Sequence, residues 1–217
     1  MGAERPKQYL PLGGRPLLWH TLEAFERSRW VDRLILVLRP EDMDLCRREV
    51  LEPGHFGKVQ GVVEGGAERH ASVLAGLGET AAADEIILVH DAVRPFFDDG
   101  LLRRVVEAAA ECGAAVPGLP LKETVKRAVD GQVEATVDRK ALFGAQTPQG
   151  FRREVLRQAY GRVAQTARIT DDAMLVEESG HPVRLVEGAE QNIKITTPED
   201  LAWAAWHLER GRRERGD

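Results

Sequence analysis

The sequence has few features of a secreted, membrane-bound or nucleic-acid-binding protein. Its two cysteines, Cys46 and Cys112, lie far apart and fit neither a metal-binding motif nor a disulfide framework. The longest apolar runs, such as residues 86–89, are far shorter than the roughly 20 residues of a membrane-spanning helix, and no signal segment opens the sequence. A net charge of −5 argues against a surface built to bind nucleic acid or anionic lipid. We therefore expect a cytoplasmic protein with no nucleic-acid or membrane partner.

The composition is typical of a folded protein. Hydrophobic residues make up 43% of the 217 residues and charged residues 30%, which excludes disordered and fibrous classes. No internal repeat or linker divides the chain, so we expect residues 1–217 to form a single domain.

Short runs of Val, Ile and Leu alternate with segments of helical period. This alternation predicts an α/β protein with an open, mostly parallel sheet and helices on both faces. Helices are expected near residues 17–25, 101–109 and 155–163 and from Pro198 toward Arg210, where Thr197 and the proline form a helix start. The predicted strands are residues 34–38, 59–63, 86–89, 114–118, 183–186 and 193–196.

Residues 121–147 interrupt this alternation. They combine threonine, valine and charged residues with a turn signal at Asp130-Gly131, a pattern that predicts a projecting β-hairpin. The segment has little apolar surface of its own, so we expect this arm to pack on a second subunit.

The first candidate functional residues follow the predicted strand at residues 86–89. Ligands of open parallel sheets bind beyond the carboxyl ends of the strands. Asp91 and Arg94 lie there, and a carboxylate suits a metal ion while a guanidinium suits a phosphate. An ordinary salt bridge at a strand end is the alternative. We interpret the neighbouring His90 as a packed or capping residue.

The second candidate follows residues 59–63. Gly65 and Gly66 precede a helix that contains Ser72, an arrangement that lets a ligand approach the backbone and its free N–H groups. A common turn is the alternative. Residues 76–81 match a dinucleotide-binding fingerprint only formally, because they end a helix, and the sequence has no P-loop motif.

Lys7 and Lys194 are the third candidate. Lys194 lies inside the apolar run 192–196, an unusual place for a residue that serves only solubility, although an edge strand could also expose it to water. Asp171 and Asp172 are typical of a helix start.

Together these segments resemble the 2-C-methyl-D-erythritol 4-phosphate cytidylyltransferase family, in which they occur in the same order. The resemblance runs from residue 1 to about residue 208, and the related ribitol-5-phosphate cytidylyltransferases remain an alternative. The segments that carry it are Pro6–Leu10, Gly65–Val73, His90–Pro95, Thr124–Lys126, Val137–Arg139, Gln146–Gln149, Thr170–Ala173 and Asn192–Thr196.

The resemblance implies a Rossmann-like fold and a Mg²⁺-dependent transfer of CMP from CTP to 2-C-methyl-D-erythritol 4-phosphate, with release of pyrophosphate, in non-mevalonate isoprenoid synthesis. It also implies a homodimer whose arm, at about residues 121–147, completes the partner's active site. The implied roles are catalysis for Lys7 and Lys194, nucleotide binding for Gly65, Gly66 and Ser72, metal and substrate binding for Asp91, and substrate binding for Arg94, Thr124 and Arg139.

The sequence departs from the family pattern at its start. Members of the family begin with an apolar strand and a Gly-rich loop of the form A-A-G-x-G-x-R-M-G, and residues 1–2 match the end of that loop. We interpret this as a late start site or a shortened chain, with a catalytically inactive nucleotide-binding remnant as the alternative. Residues 34–38 and 86–89 should then flank the place of the missing strand, about 10 Å apart and without hydrogen bonds between them.

Overall fold

A computed structural model describes residues 5–162 and 169–215, and its helices agree with the predicted ones. Val163, the last residue of the predicted third helix, lies outside these residues. The final helix begins at Pro198, as predicted, and the Thr197 side-chain oxygen accepts a hydrogen bond from the Asp200 N–H at 3.1 Å. The α-helices are α1 (Leu17–Arg27), α2 (Met43–Cys46), α3 (Glu52–Gly54), α4 (Arg69–Gly78), α5 (Asp99–Cys112), α6 (Arg153–Arg162), α7 (Asp172–Glu178) and α8 (Pro198–Arg215).

The strands confirm the α/β fold with open sheets, and five of the six predicted strands are present. Strand pairing is mixed and not mostly parallel as expected, since five of the seven strand pairings among the described residues are antiparallel. The strands are β1 (Pro11–Leu12), β2 (Arg15–Pro16), β3 (Leu34–Leu38), β4 (Val59–Glu64), β5 (Ile86–Val89), β6 (Ala114–Pro120), β7 (Val125–Val129), β8 (Gln132–Val137), β9 (Phe143–Ala145), β10 (Gln149–Arg152) and β11 (Arg184–Glu187).

The predicted strand at residues 193–196 is wrong. Its Ile-Lys-Ile alternation imitates a strand because Ile195 is buried and Lys194 is exposed. However, the Ile195 N–H donates to the Val93 carbonyl at 3.0 Å, which belongs to the loop after β5 and not to a neighbouring strand. The segment is therefore an irregular stretch held against a loop.

An unpredicted strand, β10, lies at the centre of the largest sheet. It pairs antiparallel with β5 on one side and with β6 on the other, while β6 pairs in parallel with β11. Phe151 of β10 is fully buried, and a Cβ on Gly150 would lie only 2.7 Å from Val105 of α5. The glycine thus lets α5 pack closely on this strand.

Helices cover both faces of this sheet. On one face, α5 packs through Leu101 and Val105 against Leu88 of β5. On the other face, Leu156 of α6 and Leu175 of α7 pack in the same cluster as Phe151. Among the described residues, no helix has the length and apolar content that a membrane span requires.

Strands β3 and β5 are not paired with each other. Strand β3 pairs in parallel with β4, and β5 pairs with β10; within the described residues no strand pairing joins β3 to β5. A cavity of about 750 Å³ lies between them and is lined along its length by residues of both strands. We call this cavity the groove. The expected lack of hydrogen bonding is confirmed, whereas the separation of about 10 Å stays a prediction.

The arm has the predicted hairpin structure. Strands β7 and β8 pair antiparallel around Asp130 and Gly131, whose φ angles of 48° and 77° are those of a tight hairpin turn. Val129 and Val133 are 52% and 62% exposed at its tip. The arm therefore carries apolar side chains that its own chain leaves uncovered.

Candidate functional site

The loop after β5 places Asp91 between two cations. The Arg94 Nε donates to Asp91 Oδ2 at 3.1 Å, and the Lys194 Nζ lies 3.2 Å from the same oxygen. The Asp91 and Arg94 side chains are 17% and 12% exposed, whereas that of Lys194 is 48% exposed. The structure thus brings together three of the predicted site residues, with Lys194 the most accessible.

These cations keep Asp91 ionised. Burial acts to raise the pKa of the carboxyl, but the charges of Lys194 and Arg94 and their hydrogen bonds outweigh burial and lower it. At neutral pH the group is therefore an anion that has one face toward the groove, which it helps to line.

Arg94 fixes the loop and does not project freely. Besides Asp91, its guanidinium donates to the Asn192 carbonyl at 2.9 Å through Nη1. The Asn192 amide in turn donates to the Thr147 carbonyl at 2.8 Å. Asn192 is fully buried, so these bonds hold the segment that carries Lys194 against the loop that carries Asp91.

His90 is a packed residue, as interpreted from the sequence. Its ring contacts Phe25 and Phe97 at centroid distances of 5.0 and 4.8 Å. Its Nε2 donates to the Arg94 carbonyl at 2.9 Å, and this leaves Nδ1 as the acceptor for the Thr147 hydroxyl at 3.0 Å. The imidazole must therefore be neutral for both bonds to form.

We predict a pH-dependent loss of stability from His90. Burial lowers the pKa of His90 to about 4. At pH values between this pKa and the ordinary histidine pKa, the imidazole is protonated in the unfolded state but not in the folded state. The free energy of unfolding of the parent should fall by about 2 kcal/mol more than that of His90→Gln between pH 7 and pH 5. Urea unfolding at both pH values measures this. The control is His55→Asn, a change of an exposed histidine, in which the free energy of unfolding should fall between pH 7 and pH 5 as much as in the parent. If it fell by the same amount in His90→Gln, the prediction would be contradicted.

The turn between β4 and α4 is built around two close backbone contacts. The Gly65 N–H donates to the Leu38 carbonyl at 2.7 Å. A Cβ on Gly65 would lie 2.7 Å from the Ser72 Oγ, and one on Gly66 would lie 2.3 Å from the Ala71 Cβ. Both glycines are required by close packing of the turn on α4, and not by a positive φ. Ser72 lines the groove with Asp91.

A second cluster, which the sequence reading missed as a site, lies beside this turn. The Arg69 Nη2 donates to the Asp172 Oδ2 at 2.6 Å, and the Tyr160 hydroxyl donates to the Asp172 Oδ1 at 2.6 Å. Asp171 begins α7 as predicted, since its carboxylate accepts from the Met174 N–H at 3.0 Å. The sequence shows the paired aspartates Asp171 and Asp172, but the residues around them do not indicate that Asp172 pairs with Arg69, 103 residues away.

Three predicted site residues, Lys7, Thr124 and Arg139, make no contact with Asp91 among the described residues. Lys7 is exposed in a short 3₁₀ turn, Lys7–Tyr9, that precedes β1. Thr124 is exposed at the start of β7, and Arg139 is exposed in a 3₁₀ turn after β8. Among the contacts of the described residues, none joins these side chains to Asp91 or Lys194, so their roles stay predictions.

Comparison with known proteins gives matches along nearly the whole chain. A model of the family "IspD: 2-C-methyl-D-erythritol 4-phosphate cytidylyltransferase" matches residues 1–210. A protein of that name from Syntrophotalea carbinolica is 46% identical over 211 residues, which is 96% of this chain and 91% of that protein. One from Geobacter metallireducens is 48% identical over 209 residues, or 94% of this chain and 90% of that protein.

Solved structures agree. The crystal structure of 2-C-methyl-D-erythritol 4-phosphate cytidylyltransferase from Thermus thermophilus is 38% identical, covers 94% of both chains and superposes with a TM-score of 0.78. That of 4-diphosphocytidyl-2C-methyl-D-erythritol synthase from Anaerococcus prevotii is 33% identical, covers 94% of this chain and 91% of that chain, and gives a TM-score of 0.84. With sequence and fold in agreement over this length, the chain belongs to the 2-C-methyl-D-erythritol 4-phosphate cytidylyltransferase family.

Proposed function

We propose that this protein transfers CMP from CTP to 2-C-methyl-D-erythritol 4-phosphate and releases pyrophosphate, in isoprenoid precursor synthesis in the cytoplasm. The observation that carries the proposal is the meeting of Asp91 and Lys194, at 3.2 Å, beyond the end of β5. An anion and an accessible cation beyond the carboxyl end of a strand suit a reaction between two phosphorylated substrates.

In this reaction the substrate phosphate attacks the α-phosphorus of CTP and pyrophosphate leaves. Both reactants are anions, so the protein contributes chiefly positioning and positive charge. We assign Lys194 and Lys7 to the charge that develops on the α-phosphoryl group. Gly65, Gly66 and Ser72 bind the nucleotide, where the exposed start of α4 offers backbone N–H groups to acceptors.

Asp91 is the residue that suits a magnesium ion. Magnesium is commonly held by one or two carboxylates together with substrate phosphates, and the lowered pKa of Asp91 keeps its carboxylate charged at neutral pH. The described residues contain no group of three or more metal-ligating side chains, so the substrate phosphates would supply the other ligands. Bound there, the ion would neutralise negative charge on the triphosphate.

The arm supports a homodimeric site. Thr124 precedes β7 and Arg139 follows β8, both exposed, and the apolar residues Val129 and Val133 at the tip are 52% and 62% exposed. A second subunit seated on the arm would bury these side chains and receive Arg139 as a ligand for the substrate phosphate.

Comparison of two polyol phosphates tests the function. We expect pyrophosphate release from CTP with 2-C-methyl-D-erythritol 4-phosphate to exceed that with ribitol 5-phosphate by at least about 100-fold in kcat/KM, and to stop when EDTA removes magnesium. A preference for ribitol 5-phosphate, which the matched relatives do not favour, would overturn the substrate assignment. CTP binding without any turnover would instead support the inactive remnant.

The glycine turn gives a prediction of its own. The Cβ of Gly66→Ala would lie 2.3 Å from the Ala71 Cβ, so the turn must shift and CTP affinity should fall about tenfold or more. Calorimetric titration with CTP measures this. Gly78→Ala is the matched control at the other end of α4, because nothing lies within 4 Å of its Cβ and alanine favours a helix. Unchanged affinity in Gly66→Ala would remove the turn from the nucleotide site.

A further inference from the structure

We infer that Asp172, together with Tyr160, is a positioning residue for the nucleotide: it holds Arg69 and thereby fixes the turn of Gly65–Glu68. We call Asp172, Tyr160 and Arg69 the clamp. This inference rests on the proposed function, because it takes the turn to be the nucleotide-binding element.

The clamp satisfies a fully buried carboxylate from two directions. The Asp172 side chain is 0% exposed, and its two oxygens accept from Arg69 and Tyr160, each at 2.6 Å. Tyr160 belongs to α6 and Arg69 is the first residue of α4. The aspartate at the start of α7 therefore joins three helices through charge-assisted hydrogen bonds.

The protonation states of the two donors favour this arrangement. Burial acts to lower the pKa of the Arg69 guanidinium, but the hydrogen bond and charge of Asp172 outweigh it and raise that pKa. Burial, and next the negative charge of Asp172, raise the pKa of the Tyr160 hydroxyl. Both groups are therefore donors at any pH at which the enzyme would work.

At the start of α4, the Ser72 hydroxyl donates to the Gly66 and Glu68 carbonyls at 3.4 and 3.3 Å, which are long hydrogen bonds made within the turn itself. Glu68 is the N-cap residue of α4 and makes no capping hydrogen bond through its side chain, whereas such a bond is the usual way to fix a helix start. Arg69, the next residue, makes the connection to Asp172 instead. The side-chain bond that links the Gly65–Glu68 turn to α7 is therefore the ion pair of Arg69 with Asp172.

The same end of α7 is also tied to β10, which pairs with the strand that leads into the loop of Asp91. Gln149 of β10 donates through Nε2 to Asp171 Oδ2 at 2.7 Å, and its Oε1 accepts from the Ala173 N–H at 3.1 Å. Gln149 pairs with Val89, the last residue of β5 before the loop that contains Asp91. The clamp thus connects the glycine turn to the Asp91 loop, although β3 and β4 share no strand pairing with β5 among the described residues.

A contribution to stability alone is a weak explanation for such a pair. The Arg69 side chain is 39% exposed and only Asp172 is fully buried, and taking a charge such as this carboxylate out of water costs free energy that an ion pair often fails to recover. The pair has another use, because Arg69 directly follows the turn as the first residue of α4. Holding the turn at a fixed position lowers the ordering cost of binding a ligand to it.

Three variants and one control test the inference. Asp172→Asn keeps the shape and removes the charge, Arg69→Lys keeps the charge and removes the forked donor, and Tyr160→Phe removes one hydrogen bond. We expect the dissociation constant for CTP to rise about tenfold or more in the first two and about threefold in the third. The KM for 2-C-methyl-D-erythritol 4-phosphate and the kcat at saturating CTP should stay within about threefold of the parent. Arg184→Gln, which breaks the exposed Arg184–Glu111 ion pair, should leave all three constants unchanged.

Hydrogen exchange in the ligand-free protein separates the clamp from the proposed function. Amides of residues 65–71 should exchange faster in Asp172→Asn than in the parent, whether or not the parent transfers CMP. A CTP dissociation constant within twofold of the parental value in folded Asp172→Asn or Arg69→Lys would overturn the inference. If Asp172→Asn does not fold, the CTP dissociation constants of Arg69→Lys and Tyr160→Phe are used instead, and values within twofold of the parent would overturn the inference. Absence of CMP transfer by the parent would count against the proposed function alone.

Discussion

Lys194→Ala lowers kcat for cytidylyl transfer by about 10²-fold or more, while CTP affinity weakens much less. The expectation follows from the position of the lysine: its ammonium lies 3.2 Å from Asp91 and is half-exposed, so it can reach an anionic substrate that binds beside that carboxylate. A preorganised charge of this kind acts mainly on the transition state, where losing one contact costs about this factor. Steady-state kinetics together with CTP titration measure both quantities.

The matched control is Arg103→Ala, which removes an exposed cation from α5 that pairs with Glu107 at 3.3 Å. It should leave kcat unchanged and should unfold at nearly the parental temperature, because an exposed ion pair adds little stability; Asp91 keeps Arg94 as a partner in Lys194→Ala, and kcat is measured below the unfolding temperatures of both variants. If Lys194→Ala kept near-parental kcat while CTP affinity collapsed, the lysine would serve ground-state binding and its catalytic assignment would fail.

Two inactive variants recover activity when their subunits are mixed. Arg139→Ala removes the arm's guanidinium and Lys194→Ala removes the cation beside Asp91, so each homodimer lacks one component in both sites. In a mixed dimer, one site receives Lys194 from one subunit and Arg139 from its partner. Random exchange makes half of the dimers mixed, and each has one intact site, so about a quarter of the parental activity should return.

As the control, each variant alone is taken through the same exchange treatment and should stay inactive. Subunit exchange is verified independently with two differently tagged chains. No recovery despite proven exchange would mean that Arg139 acts within its own chain or not at all.

Local signals in the sequence were sufficient for much of the fold. The apolar faces of α1, α5 and α6 and the Thr197-Pro198 start of α8 depend on residues a few positions apart, and the structure has them. The Asp130-Gly131 turn likewise predicts its hairpin, because few other dipeptides adopt two successive positive φ angles easily.

The errors and omissions concern contacts between distant segments. Residues 193–196 alternate like a strand, but their partner is the loop at Val93, and no local pattern distinguishes the two cases. β10 has few β-forming residues and exists because β5 and β6 pair with it on both sides and α6 and α7 pack on Phe151.

The same reasoning separates the predicted from the missed parts of the site. Asp91 and Arg94 were predictable because a strand end leads directly to them, and Gly65 and Gly66 because a turn precedes a helix. The pairing of Arg69 with Asp172 depends on how α4 and α7 pack, which neither segment encodes alone.

Phosphorus NMR with ¹⁸O-labelled substrate tests the proposed reaction most directly. The protein is incubated with magnesium, CTP and 2-C-methyl-D-erythritol 4-phosphate whose phosphate oxygens carry the label. Attack of that phosphate on the α-phosphorus predicts a cytidine diphosphate product with ¹⁸O in the bridge between its two phosphorus atoms, and one equivalent of unlabelled pyrophosphate. Free CMP in place of the adduct, an unlabelled bridge, or label in the pyrophosphate would contradict the proposed transfer.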